Sequence, residues 1–240
     1  MSIAFFTVCG GVEEYEFLLA SIEHHAALSQ AHVVLDTTPS PESRRFQRLP
    51  KTVRWVHEPL YGSGTSFRYV AALNRAIALA EEDGADALFY LDADEYFAPD
   101  IVAEVAPLAC ERLVEFPILH HIDERSAWFV PLDCHFRAWP ARRGVRAMLN
   151  LGWQQHPLYD GNPEWHALVQ APPDVPLHRL IPAYHHHLHF VLGKKTAWDS
   201  YRHLMLGERV HDRVVPISSP WPPPVYQWYR SGVLPSSHFS

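Results

Sequence analysis

The sequence is poor in cysteine, in long apolar runs and in positive charge, and each shortage excludes a class of protein. Only Cys9, Cys110 and Cys134 occur, none of them in a Cys-x-x-Cys pair, so a disulfide framework is disfavoured and a reducing cytoplasm fits. No apolar run reaches the ~18 residues that a membrane span requires. The formal net charge of −7 disfavours a nucleic-acid-binding module, which needs a basic footprint.

The 240 residues, 48% of them hydrophobic, suffice for one substantial α/β core. The apolar segment 3–8 lacks a basic leader and is too short for a signal-peptide core, so it is interpreted as the first strand. Histidine and proline are abundant by contrast, with 17 and 21 copies. The histidines cluster late in the chain, and the prolines lie mostly in its second half.

Residues 1–118 alternate short apolar strands with helical patterns. Strands are predicted at 3–8, 32–36, 52–57, 87–91 and 112–118, and helices at 12–29, 67–82 and 100–109. Such alternation predicts an α/β fold with a mostly parallel central sheet flanked by helices. Open sheets of this kind bind ligands beyond the carboxyl ends of their strands, so we expect the functional site at that rim.

The second half of the chain follows a different pattern. Residues 119–213 are predicted to contain an interrupted strand at 128–140, a His-dense strand or turn at 184–190 and a helix at 194–208. Residues 214–240 form a Pro-rich tail that also carries tryptophan. Because proline interrupts helices, we expect no regular helix in this tail.

The most informative segment is the apolar strand at 87–91, which ends in the carboxylates Asp92, Asp94 and Glu95. Unpaired carboxylates are costly to desolvate, so their position requires a partner. Asp92 and Asp94 point the same way in extended backbone, and two oxygen ligands suit Mn²⁺ or Mg²⁺ holding a substrate phosphate. Alternatively, the acids lie in a solvated loop and cap the helix that begins near Pro99.

A second cluster of metal-binding side chains lies in the segment 184–190. Alternate histidines of a strand, such as His185, His187 and His189, share a face. Imidazole suits Mn, Fe, Co or Zn better than Mg or Ca. The alternative is a His-rich surface strand, or core histidines satisfied by hydrogen bonds.

Together these features resemble the family 2-type glycosyltransferases of the GT-A fold. The resemblance rests on segment 74–77 (Asn-Arg-Ala-Ile) and segment 91–97 (Leu-Asp-Ala-Asp-Glu-Tyr-Phe), with an opening strand and a second strand that ends in Asp36. It covers residues 1–118 and continues loosely to the late histidines. It implies a GT-A-like single domain that transfers a sugar from a UDP- or GDP-sugar to an acceptor. The acceptor is a glycan, a lipid-linked sugar, a peptide or a small molecule.

The resemblance also implies roles for particular residues. Asp94 would contact the metal directly, and Asp92 would contact the ribose or, through water, the metal. Thr7, Gly10 and Asp36 would contact the base and ribose, and Arg68 or Asn74 would contact the diphosphate or sugar. His187 or His189 would be the last metal ligand. The bound nucleotide diphosphate is a leaving group whose growing charge a divalent ion offsets.

The catalytic base has no clear equivalent in this sequence. Asp160 and Glu164 are the nearest candidates, and an ordinary acidic turn is the alternative for each. A metal-dependent phosphatase of the haloacid-dehalogenase type also uses Asp-x-Asp after an apolar strand, although on its first strand. Such a hydrolase and a non-catalytic sugar-nucleotide-binding module are the alternative functions, and the assembly state is left open, with a homodimer among the options.

Overall fold

The structure combines one large mixed β-sheet with helices on both of its faces. The computed structural model describes residues 1–10, 15–39, 49–62, 68–121, 123–150, 167–179, 185–188, 213–217 and 221–230. Within these ranges, no helix is long and apolar enough to cross a membrane.

Twelve strands are defined in the described part of the chain. They are β1 (Ile3–Cys9), β2 (Ala31–Asp36), β3 (Val53–His57), β4 (Ala87–Tyr90), β5 (Glu95–Phe97), β6 (Leu113–His121), β7 (Ser126–Pro140), β8 (Arg146–Leu149), β9 (Ala167–Gln170), β10 (Leu177–Arg179), β11 (His185–His187) and β12 (Arg213–Pro216). Four α-helices accompany them: α1 (Tyr15–His25), α2 (Tyr69–Glu82), α3 (Pro99–Ala109) and α4 (Pro223–Arg230).

The large sheet has the strand order β3-β2-β1-β4-β7-β6-β11-β5, with β10 added to β6 and β12 to β7. Strands β3, β2, β1 and β4 run parallel, as the alternation of strand and helix predicts. Strand β7 then pairs antiparallel with both β4 and β6. Strands β10 and β11 pair parallel with β6, whereas β5 and β12 pair antiparallel with β11 and β7. The sheet is therefore mixed, with strands from both halves of the sequence, and the expectation of a mostly parallel sheet is not confirmed for the sheet as a whole.

The two faces of the sheet pack against different helices. Strand β1 is buried at every residue, and its alternate side chains divide between two cores. Phe6 packs in a core with residues of α2, whereas Phe5 packs in a core with residues of α3. Cys9, at the end of the strand, contacts a third cluster that includes residues of α1. This double burial explains why the parallel strands are continuous apolar runs.

Parallel registry brings the carboxyl ends of the first three strands to one rim. Cys9 pairs with Asp36, and Asp36 pairs with His57. Strand β4 joins the other side of β1, where Phe6 pairs with Tyr90. The carboxyl ends of these strands therefore share one rim, as the sequence predicts, and the acidic segment that follows β4 begins at this rim.

Helix α4 corrects the expectation that the Pro-rich tail contains no regular helix. Pro223 and Pro224 occupy the first two positions of this helix. The backbone N–H of a first-turn residue has no acceptor within the helix, so proline, which lacks this N–H, is tolerated there. The two prolines begin the helix instead of breaking it. The helix predicted at 194–208 lies outside the described residues.

Candidate functional site

Three carboxylates follow β4, and two of them are buried. Asp94 is 6% exposed and Glu95 is 1% exposed, whereas the Asp92 side chain is 35% exposed. The following helix begins after Ala98, which makes no side-chain capping bond. The acids are therefore not a solvated loop that caps the next helix, and their burial requires compensating partners.

Arg137 of β7 supplies the compensating charge. Its Nη2 donates to Asp92 Oδ2 and to Glu95 Oε1, each 2.6 Å away, and its side chain is only 4% exposed. The guanidinium also lies over the Tyr90 ring, 4.5 Å from the centroid. Burial alone would lower the pKa of Arg137, but the charges of Asp92 and Glu95 outweigh it and hold that pKa well above its ordinary value.

Two tyrosines and a backbone amide complete the contacts of this cluster. The hydroxyls of Tyr69 and Tyr90 contact each other, and both donate to Asp92 Oδ1, the Tyr69 bond being 3.1 Å. Burial, followed by the charge of Asp92, raises the pKa of both phenols well above its usual value. Glu95 Oε2 accepts the backbone N–H of Asp92 at 2.9 Å. Both oxygens of Asp92 are thus engaged within the protein.

Strand β11 brings the late histidine segment to the acidic motif. It lies between β6 and β5, so that His187 pairs with Glu95 and His186 with Tyr96. One residue further, the backbone N–H of Leu188 donates to the carbonyl oxygen of Asp94 at 2.9 Å. The described part of the His-dense segment is therefore a strand, one of the two predicted alternatives, and its backbone adjoins the Asp-x-Asp motif directly.

A chain of two side-chain hydrogen bonds links Trp221, His121 of β6 and His186 of β11. Trp221 Nε1 donates to His121 Nδ1 at 2.8 Å, and His121 Nε2 lies 2.8 Å from His186 Nδ1. Because indole nitrogen only donates, His121 carries its proton on Nε2 and donates it to His186. The His186 ring also stacks on Tyr96, with centroids 4.5 Å apart and planes 4° from parallel.

Two of the three predicted base and ribose contacts, Thr7 and Asp36, are buried inside the protein. The Thr7 hydroxyl lies in the middle of β1, 3.1 Å from His32 Nε2, and does not reach the rim. Asp36 is fully buried at the end of β2. Its Oδ1 accepts from the amide and hydroxyl of Thr38, and its Oδ2 accepts from Trp55 Nε1 at 3.2 Å.

The other predicted donor-binding residues occupy three different environments. Gly10 follows β1 and is partly exposed at the rim. Arg68 is exposed immediately before α2, beside Tyr69, whose hydroxyl contacts Asp92. Asn74 instead bonds both backbone polar groups of Ala147, with its Nδ2 and Oδ1 each 2.9 Å from their partners. The structure thus leaves Arg68 exposed before α2, with its backbone N–H bonded to Tyr61, and uses Asn74 to hold β8.

Some of the predicted residues lie outside the described part of the chain. Asp160 and Glu164, the candidate bases, and His189 belong to this group, and only the backbone of His187 is described. Their roles stay predictions.

The side-chain types expected at the motif, carboxylate and imidazole, suit a divalent cation as ligands. Asp94 is buried and its backbone adjoins a strand that carries histidine, and carboxylate with imidazole suits Mn²⁺. Among the described side chains, no three His, Cys, Asp or Glu residues are grouped closely enough to hold a metal ion. The expected ligands His187 and His189 are not among those side chains.

Sequence reasoning missed Arg137, Tyr69 and Tyr90. Arg137 gives the clearest signal, because a charged residue between Phe136 and Ala138 interrupts an otherwise apolar stretch of strand. A charge at such a position is buried only with a partner of opposite sign. In the structure that partner is the acidic motif, which follows β4, and β4 pairs antiparallel with β7.

Comparison with known proteins gives no further assignment. No protein-family model matches the chain, and a search of curated proteins finds no match either.

Proposed function

We propose that the protein is a glycosyltransferase that takes its sugar from a nucleoside-diphosphate sugar, UDP- or GDP-linked, with a divalent cation at the Asp-x-Asp motif. The observation that carries the proposal is the contact between β11 and the motif. His187 pairs with Glu95, and Leu188 bonds the carbonyl of Asp94. The backbone of the acidic segment that follows β4 thus meets a distant strand that carries histidine, and open α/β sheets bind ligands at the carboxyl ends of their strands.

Within this proposal Asp94, with His187 or His189, would hold the cation, with Mn²⁺ preferred over Mg²⁺ because of the imidazole. When bound, such a cation offsets the charge that grows on the departing diphosphate. Asp92 has a different role, since Arg137 and the two tyrosines hold both of its oxygens. We assign Asp92 to the ribose or to a water-mediated contact.

Arg68 and the start of α2 suit the diphosphate. The helix begins at Tyr69, whose hydroxyl donates to Asp92, so the first side chain of α2 reaches the acidic motif. Unpaired backbone amides at a helix amino end favour anions, and exposed Arg68 adds a positive charge there. The protein's contribution to this reaction is positioning and charge stabilisation more than covalent chemistry.

A donor panel tests the proposed function. The protein is incubated with UDP- and GDP-sugars, Mn²⁺ and mixed acceptors, and release of UDP or GDP is measured beside release of phosphate from phosphate esters. Nucleotide release that requires Mn²⁺ and rises with one acceptor class supports a transferase. Phosphate release from esters without nucleotide release would favour a phosphatase, and binding without either release would favour a non-catalytic module.

A further inference from the structure

The turn that carries the Asp-x-Asp motif is closed by two hydrogen bonds between its ends. The backbone N–H of Glu95 donates to the carbonyl oxygen of Asp92 at 3.1 Å. In the opposite direction, the backbone N–H of Asp92 donates to Glu95 Oε2 at 2.9 Å. One bond is made by the main chain and the other by a side chain, so the conformation of the turn depends on where the Glu95 carboxylate lies.

Arg137 bonds both ends of this turn from a neighbouring strand. Its Nη2 lies 2.6 Å from Glu95 Oε1 and 2.6 Å from Asp92 Oδ2, so a single nitrogen bridges the two carboxylates. Hydrogen bonds between charged groups are about twice as strong as those between neutral groups. Arg137 lies in β7, which pairs with both β4 and β6, so the bridge is anchored inside the large sheet.

Other groups of the protein hold the rest of the turn. Ala93 is buried against residues of β1 and α1. The carbonyl oxygen of Asp94 accepts the Leu188 N–H at 2.9 Å, and that of Glu95 accepts the Ser21 hydroxyl at 2.8 Å. Since all of these partners belong to the protein, the turn can hold its conformation before a ligand binds.

We propose that Arg137 is a positioning residue of the motif, which acts through Asp92 and Glu95 to hold the Asp-x-Asp turn in the conformation that receives the nucleotide. The inference rests on the proposed function, which supplies that ligand. Because only 4% of its side chain is exposed, Arg137 acts through the two acids instead of contacting the nucleotide. A turn that is formed in advance avoids the entropy cost of ordering a mobile segment on binding.

Two measurements distinguish this role from a general contribution to stability. Arg137→Gln removes the charged bridge, so the amides of Asp92 and Glu95 should exchange with solvent about tenfold faster. A side chain that only stabilises the fold would affect amides that open by global unfolding and leave local opening of the turn unchanged. Nucleotide affinity of the folded variant should also fall about tenfold, because the turn must be ordered on binding.

The experiment measures amide hydrogen exchange by NMR for the wild type, Arg137→Gln and Arg143→Gln, in EDTA and again with Mn²⁺ plus UDP or GDP. Arg143→Gln is the matched control, because it makes the same substitution in an exposed ion pair with Asp174. We expect protected Asp92 and Glu95 amides in the wild type and the control under both conditions, and faster exchange in Arg137→Gln. Calorimetry on the same proteins should show nucleotide affinity lowered in Arg137→Gln and not in the control.

Unchanged exchange at Asp92 and Glu95 in Arg137→Gln would overturn the inference. Unchanged nucleotide affinity in that variant, or new protection of these amides when nucleotide binds to the wild type, would do the same. If Arg137→Gln does not fold, the double variant with Glu95→Gln replaces it, because it removes both charges and keeps an acceptor for the Asp92 N–H. Faster exchange at Asp92 is expected there too, and the wild-type rate would contradict the inference.

The two arms separate the inference from the proposed function. Absence of UDP and GDP binding by the wild type would refute the proposed function. The exchange rates in EDTA would still decide whether Arg137 holds the turn.

Discussion

Leu188 donates its backbone N–H to the carbonyl oxygen of Asp94, 2.9 Å away, although the two residues lie in different halves of the sequence. The bond extends the pairing of β11 with β5, in which His187 is opposite Glu95. The acidic motif and the histidine segment are therefore held together by main-chain structure.

Trp221→Phe should loosen the attachment of α4 to β11. The variant keeps a large ring but loses the bond to His121 Nδ1, and a buried hydrogen bond of this kind contributes about 1 kcal/mol. His121 then lacks the donor that fixes its tautomer. We expect faster hydrogen exchange in the 223–230 helix and in 185–188, with the 69–82 helix unchanged. Unchanged exchange in both segments would show that the bond does not hold β11.

Asn74→Ala should destabilise the protein through β8. Asn74 bonds both polar groups of the Ala147 backbone, and leaving buried backbone groups unpaired costs about 1–3 kcal/mol. We expect a lower free energy of unfolding by urea, with nucleotide affinity unchanged in the folded protein. Asn74→Asp is the control, since it keeps the acceptor for the Ala147 N–H. A loss of nucleotide affinity with an unchanged free energy of unfolding would instead indicate that Asn74 contacts the diphosphate.

Acid should destabilise the protein through buried histidine. Burial lowers the pKa of His32 from 6.5 to about 3, so between these values the unfolded chain binds a proton that the folded protein excludes. The free energy of unfolding therefore falls as the pH drops below 6.5, by up to about 1.4 kcal/mol per pH unit from this group. Burial, with the neighbouring charges of His24 and His32, also lowers the pKa of His25 and adds to the effect.

Urea unfolding at several pH values between 7.5 and 4.5 measures this dependence. His32→Gln keeps a polar group for Thr7 but cannot titrate, so its stability should fall less steeply with acid than that of the wild type. Parallel slopes for the two proteins would show that His32 is not the source of the pH dependence.

The sequence predicts the first part of the fold because local patterns determine it. Strands 3–8 and 32–36 and helix 67–82 match β1, β2 and α2 within a few residues, since apolar runs and helical periodicity persist over their length. The Asp-x-Asp position follows from the same pattern. The sequence leaves segment 184–190 as a strand or a turn, and the structure has a strand at His185–His187; the ligand role that the resemblance implies for the late histidines stays a prediction.

Other features depend on long-range pairing that a sequence pattern does not reveal. Arg137 meets Asp92 only because β7 runs antiparallel beside β4, and β7 pairs with β6 through register shifts near Val114 and Pro117. The resemblance implies a contact of Thr7 with the base or ribose. Its side chain is instead directed to His32, and strand alternation alone cannot tell which neighbour it meets.

The most direct test of the central claim is calorimetric titration of UDP and GDP into the wild type and Asp94→Asn, each with Mn²⁺ and with EDTA. Asp174→Asn, which alters an exposed ion pair with Arg143, is the matched control. We predict that the wild type and the control bind one of the nucleotides only with Mn²⁺, and that Asp94→Asn loses this binding while its thermal unfolding stays cooperative. Equal nucleotide affinity in Mn²⁺ and EDTA, or wild-type affinity in Asp94→Asn, would contradict the account.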